Sequence, residues 1–137
     1  MLPIAKLTVF SVILANMMSQ SICIPLTIDL SKTETIETLA LINSGAGGIF
    51  IHTDYAEQLE LKRIPLDKSI TAWNINGTPN KRGLMTHYVL ININIGEKKL
   101  LIKAYVIGIG KESLILGFPW LQKYNLIIDW KTGKIQF

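Results

Sequence analysis

The chain has 137 residues, 49% hydrophobic and 18% charged, with a mean hydropathy of +0.34. Such a composition excludes an intrinsically disordered chain, and only five Pro and ten Gly exclude a collagenous or low-complexity one. A single cysteine, Cys23, excludes an intramolecular disulfide scaffold and a multi-cysteine zinc site.

The length sets one domain, expected to be intracellular and cytoplasmic, with no metal, no cofactor and no membrane. The net charge of +4 and pI of about 9.2 invite a nucleic-acid partner. The cations argue against it. They come singly or as the pairs Lys62-Arg63, Lys81-Arg82 and Lys98-Lys99 beside turn signals, not as a stripe interleaved with aromatics.

Residues 1–21 read as an N-terminal leader and residues 22–137 as the domain. Residues 7–15 form an apolar run behind Lys6, the outline of a secretory signal, but no small-x-small cleavage pattern follows. The run is shorter than the roughly 20 residues that cross a bilayer. It is expected to pack on the domain or a partner, or to be a truncated piece of a longer polyprotein; secretion is the alternative.

From residue 22 the pattern is β. Ile22, Ile24, Leu26, Ile28 and Leu30 alternate with Cys23, Pro25, Thr27 and Asp29, the period of two of a half-buried strand. Pro25 lacks the ladder donor and belongs at an edge or bulge. Residues 31–34 turn the chain and residues 35–42 return it. Farther on, His87, Val89, Ile91, Ile93 and Ile95 share one face, and Gly96-Glu97 turns into residues 98–107, where Leu100, Ile102, Ala104 and Val106 alternate again.

Two segments predict short helices. Residues 54–59 have Thr53 or Asp54 as cap and Glu57 at capping-box spacing. Residues 118–124 carry Pro119 at the first turn and Asn125 as a left-handed stop. Cys23 reads as a small buried residue, Asp67 as a loop residue after Pro65, and Trp73, Trp120 and Trp130 as core or subunit-packing aromatics. His52 and His87 read as structural histidines. Short strands with regular turns give an all-β domain, closed or nearly closed.

Three segments carry chemical meaning. In residues 39–48 an apolar strand runs into Asn43, Ser44 and then Gly45-Ala46-Gly47-Gly48. Residues 73–80 are a turn-rich tip between two strand patterns. Leu114-Ile115-Leu116-Gly117 precedes the second helix. Each alone is an ordinary turn or buried strand end. Their order resembles the retroviral-type (retropepsin-like) aspartic proteases, and most of all the protease domain of gypsy-like retrotransposon polyproteins. There the first segment usually reads Ala-Leu-Ile-Asp-Ser-Gly-Ala. Residues 40–46, Leu59-Glu60-Leu61, residues 115–121 and Ile128-Asp129-Trp130 follow that course, so the similarity spans residues 22–137.

The resemblance implies a partly closed, mostly antiparallel barrel of six to eight strands with one or two short helices. It also implies a homodimer, because the chain has one such turn and half the size of a two-lobed enzyme. The site would be Asn43, Ser44 and Gly45, with Ser44 tying the two turns together. Ala46 and the flap tip of Ile75, Asn76, Gly77 and Thr78 would contact an extended peptide or polyprotein substrate. Residues 127–137 would help to pair the subunits.

One residue departs from that family. Its catalytic Asp position holds Asn43, and the mechanism needs two carboxylates sharing one proton. An amide has nearly the same shape but cannot take a proton near neutral pH. General acid–base catalysis contributes about 10²–10⁴-fold, so the resemblance implies an impaired protease that binds extended peptides. Two alternatives stand beside it. One is an active endopeptidase, through an Asp-bearing partner or deamidation of Asn43. The other, on charge alone, is a basic β-barrel that binds nucleic acid.

Overall fold

The computed structural model describes residues 11–13, 21–74, 81–108, 110–129, 131–132 and 134–136. In chain order they form β1 (Ser11–Ile13), β2 (Ser21–Asp29), β3 (Thr35–Asn43), β4 (Ile49–His52), α1 (Thr53–Gln58), β5 (Ile64–Asn74) and β6 (Lys81–Ile95). There follow β7 (Lys98–Ile107), β8 (Leu114–Gly117), α2 (Phe118–Tyr124), β9 (Ile127–Asp129) and β10 (Lys134–Gln136).

Alternating sequence becomes strand pairing directly. β2 and β3 pair antiparallel from Ser21↔Asn43 to Asp29↔Thr35, closed by Leu30 and Ser31 N–H donating to the Glu34 carbonyl at 2.9 and 3.2 Å. β6 and β7 pair antiparallel from Tyr88↔Tyr105 to Ile95↔Lys98. Gly96 makes that turn at φ 58°, a left-handed conformation that suits glycine.

The main sheet runs β1-β5-β6-β2-β3-β8-β4-β7, and β7 returns to pair with β6. Strands β6, β2, β3, β8, β4 and β7 therefore form a closed six-strand ring, which removes most free edges. Closure agrees with the closed or nearly closed all-β domain read from the strand pattern. It depends on two parallel pairs inside the ring, β3–β8 and β4–β7, which an antiparallel reading of the hairpins does not supply. The 15-residue β6 makes this possible. Its first half pairs with β5, its second half with β7, and residues 92–94 also with β2.

The ring is filled by the inward phase of each strand. Leu26, Ile28, Ala40, Ile42, Ile51, Val89, Ile91, Ile93, Ile102, Ala104, Leu114 and Leu116 are buried in one cluster, joined by Ala56 of α1 and Trp120 and Leu121 of α2. Full burial of each larger aliphatic side chain contributes about 1.5–3 kcal/mol. The buried Thr38 hydroxyl pairs with the Tyr55 hydroxyl, tying β3 to α1.

Helix α2 begins with Pro119 in its first turn and stops at Asn125 in the left-handed region, φ 48° and ψ 50°. Both features follow the sequence expectation. α1 begins one residue early, and its cap is neither Thr53 nor Asp54. His52, the last residue of β4, caps it, with Nδ1 accepting the Asp54 N–H at 3.1 Å. The strand runs straight into the helix, so the cap falls on the strand's final side chain.

Two other expectations are corrected. Cys23 is exposed, because the phase that buries Ile24 and Leu26 turns residue 23 outward. Asp67 lies within β5, in the stretch between Pro65 and Ile70 where the pairing register shifts. The strand continues past Pro65 through that irregularity instead of ending in a loop. Pro25 sits where β2 pairs with β3 but not with β6, whose pairing spans Thr27 to Asp29. Residues 1–10 and 14–20 of the leader lie outside the described residues, as does Trp130; Ser11–Ile13 pairs in parallel with β5.

Candidate functional site

The first and third of the sequence segments meet side by side. β3 and β8 run parallel with Leu41↔Ile115, Ile42↔Leu116 and Asn43↔Gly117 in register. Both strands end at the same level, one passing into the residue 43–48 turn and the other into α2. β8 is an unbroken apolar run, as a strand covered on both faces requires.

The turn itself is tightly determined. Asn43 is 3% exposed, and its Oδ1 accepts the Gly45 backbone N–H at 2.9 Å. The Ala46 N–H donates to the Asn43 carbonyl at 3.1 Å, and the Ala46 carbonyl accepts the Phe118 N–H at 2.9 Å. Ser44 and Gly45 form the half-buried tip. Gly117 has to be glycine here: a Cβ on it would lie 2.2 Å from the Gly48 carbonyl oxygen and 2.6 Å from that of Ala46. Backbone packs on backbone at this point.

Ala46 is fully buried in a second, smaller core with Phe50, Met85 and Ile107, against which Leu66, Ile70, Tyr105 and Ile115 pack. Met85 belongs to β6, and Leu66 and Ile70 to β5. The β5–β6 hairpin thus packs beside the Asn43 turn. Its strands pair as far as Asn74↔Lys81. The tip residues Ile75, Asn76, Gly77 and Thr78 lie outside the described residues.

Chemically, the turn presents an amide and a hydroxyl. The aspartates serve elsewhere. Asp29 Oδ1 accepts the Asn94 side-chain amide at 2.8 Å, Asp54 lies in the first turn of α1, and Asp67 is in β5. Asp129 Oδ1 accepts the Lys131 and Thr132 N–H groups at 3.0 and 3.3 Å, shaping the turn between β9 and β10. The histidines have local partners too: His52 caps α1, and His87 Nδ1 meets the Thr86 hydroxyl at 2.7 Å. Among the described residues no three His, Cys, Asp or Glu side chains gather to hold a metal ion. No helix among them is long and apolar enough to cross a membrane.

Comparison with known families decides what this arrangement is. The family model of the PEG10/RTL1 protease domain matches residues 39–137, from the strand that carries Asn43 to the C-terminal end of the chain. The chain belongs to the PEG10/RTL1 protease-domain family. The fold agrees. A retroviral protease-like domain of Ddi1 from Leishmania major superposes with a TM-score of 0.61 at 18% identity, covering 86% of this chain and 88% of its own. A Legionella pneumophila protein of unknown function aligns over 75% of this chain and 85% of its own, at 17% identity and a TM-score of 0.45. The retropepsin-like barrel read from the sequence is therefore the fold of this PEG10/RTL1-type domain.

Sequence reasoning found the turn, the hairpin and the β8–α2 segment but missed what holds them together. The parallel β3–β8 register had one signal, the apolar run of Leu114, Ile115 and Leu116. The close approach of Gly117 to Gly48 had none beyond the glycines themselves. The His52 cap was hidden because histidine is not among the favoured caps.

Proposed function

We propose that this protease-like domain acts as a symmetric pair that holds an extended, apolar peptide and does not cut it. The observation that carries the reading is the side chain at the end of β3: residue 43 is an amide, and the Gly45 N–H fixes it in place. The family resemblance puts the catalytic carboxylate at this position. Two carboxylates about 3 Å apart share a proton, so that one activates water while the other protonates the scissile carbonyl. An amide does neither. The turn otherwise keeps its hydroxyl at Ser44, its packed Gly117 and its anchored hairpin.

Pairing supplies the second half of the site. In a two-fold pair the same patch faces itself, so Asn43, Ser44 and Gly45 of both subunits meet at the centre. The β9–β10 ribbon then helps to join the subunits.

The test is a peptidase assay of the parent beside Asn43→Asp, with sedimentation of both at micromolar concentration. The parent sediments as a dimer, binds apolar peptides in a fluorescence anisotropy titration and cuts none. The Asp variant cuts them with an acid-shifted optimum, because activity needs one shared proton and falls when both carboxylates ionise. Cleavage by a parent whose Asn43 is intact by mass spectrometry would refute the reading. So would a parent that neither pairs nor binds peptide.

A further inference from the structure

Three of the five large hydrophobic side chains exposed among the described residues lie on one face. Leu84 and Leu90 of β6 are 62% and 50% exposed, and Leu101 of β7 is 57% exposed. The barrel buries Met85, Val89, Ile91 and Ile93 of β6 and Ile102, Ala104 and Val106 of β7, so alternation turns the other phase of both strands outward. The register sets Leu90 opposite Lys103 and Asn92 opposite Leu101, which makes Leu90 and Leu101 diagonal neighbours. From Leu84 to Leu90 the strand rises about 20 Å. Single exposed leucines need no explanation, but a row of them rimmed by polar groups marks an interaction surface.

The charge of this face is one-sided. The outward positions from residue 84 to 94 of β6 and from 99 to 105 of β7 hold Lys99 and Lys103 and no carboxylate. Asp29, which faces Asn92 from β2, is engaged by the Asn94 amide at 2.8 Å. The Lys103 ammonium lies 4.4 Å from the centre of the Tyr88 ring and 5.5 Å from that of Tyr105, so two rings hold a cation beside Leu90. No ion pair among the described residues uses Lys99 or Lys103.

We propose that the outer face of β6 and β7 docks an acidic amphipathic helix of a partner protein, with its apolar stripe on Leu84, Leu90 and Leu101 and its carboxylates on Lys99 and Lys103. The two strands are paired with each other from Tyr88↔Tyr105 to Ile95↔Lys98, so the face offers side chains and not a backbone ladder. A helix suits it, because a helix satisfies its own backbone. About 14 residues at 1.5 Å each cover the row. Charge selects the occupant. A second copy docking through the same face sets Lys103 against Lys103, and residues 1–20 carry Lys6 and no carboxylate. An acidic partner complements the face, and the leucines favour an apolar stripe over a nucleic-acid backbone.

The probe is a fluorescein-labelled, lactam-stapled helical peptide of about 14 residues, with a leucine stripe flanked by glutamates. Two twins carry Gln or Lys in place of every Glu. In an anisotropy titration of the full chain the Glu peptide binds, the Gln twin binds about tenfold more weakly and the Lys twin does not bind. In the ¹⁵N-labelled chain the backbone amides of Leu90, Leu101 and Lys103 shift on adding the Glu peptide, and those of Ser44 and Gly45 stay in place. Leu90→Thr with Leu101→Thr weakens the Glu peptide about tenfold and leaves the unfolding midpoint unchanged. Lys99→Glu with Lys103→Glu reverses the order and selects the Lys twin. Salt on the parent gives the same information without a variant: raising NaCl from about 50 to about 500 mM weakens the Glu peptide roughly tenfold.

Equal binding of the three peptides, shifts confined to other faces, or no binding of the Glu peptide at about millimolar concentration overturns the proposal. So does tighter binding of this face to oligothymidylate or to phosphatidylserine vesicles, which assigns its cations to a nucleic acid or a lipid surface. None of these outcomes bears on the Asn43 turn, whose residues the face does not use.

Discussion

Gly117 lies so close to Gly48 that a Cβ on the first would sit 2.2 Å from the carbonyl oxygen of the second. That contact locks the end of β8 against the turn that follows Asn43. It makes the candidate site a feature of two packed backbones instead of a free loop.

Gly117→Ala is therefore expected to destabilise the domain by about 1–3 kcal/mol, the usual cost of overpacking, because only backbone stands in the way. Gly108→Ala is the contrast. Its Cβ would meet the Thr53 Oγ1 at 3.6 Å, an ordinary contact, so its effect is about zero or a gain of a few tenths of a kcal/mol. Urea unfolding of the three proteins measures both. Equal midpoints for the two variants would show that the 46–48 segment gives way freely.

Asn43→Ala removes the acceptor for the Gly45 N–H and leaves that donor half-buried. The expected loss is about 1–3 kcal/mol. Asn43→Asp keeps the acceptor and strengthens it with charge, while burial of that charge works against it. The Asp variant is thus expected to melt above the Ala variant. Thermal denaturation at neutral pH decides the order.

The hydroxyls of Thr38 and Tyr55 form a pair between β3 and α1. Thr38→Val or Tyr55→Phe alone strands the remaining partner, at about 1–3 kcal/mol if it stays dry. The double variant loses less than the two single losses together, since no hydroxyl is left unpaired. A double-mutant cycle on unfolding free energy checks it. Additivity would mean that water satisfies the orphaned group.

His52→Ala removes the side chain that caps α1. Loss of a cap costs about 1 kcal/mol, and His52→Ser restores an acceptor for the Asp54 N–H. Amide hydrogen exchange at Asp54 and Tyr55 reports the effect locally. Unchanged protection in His52→Ala would assign the helix start to packing of Ala56 and not to the cap.

Much of this molecule follows from its residues alone. Period-two alternation in residues 22–30, 87–95 and 98–107 determined three strands and their inward faces, since one face of each had to leave water, and residues 35–42 were legible as the returning strand. Pro119 and Asn125 determined where α2 starts and stops, through fixed backbone geometry at those two residues. The order of the Asn43 turn, the hairpin and the Leu114-Ile115-Leu116-Gly117 segment determined the family. What tertiary structure decided are contacts between residues far apart in sequence. Closure of the ring needs β3 beside β8 and β4 beside β7, and short apolar strands carry no local mark of their partners. The second core joins Ala46 to Met85, and neither residue announces the other. Cys23 turned outward and His52 became a cap because strand phase and strand length, not residue type, set their surroundings. At Asn43 the sequence supplied an amide, and the fold chose which of its atoms meets the Gly45 N–H: that group donates, so the oxygen faces it.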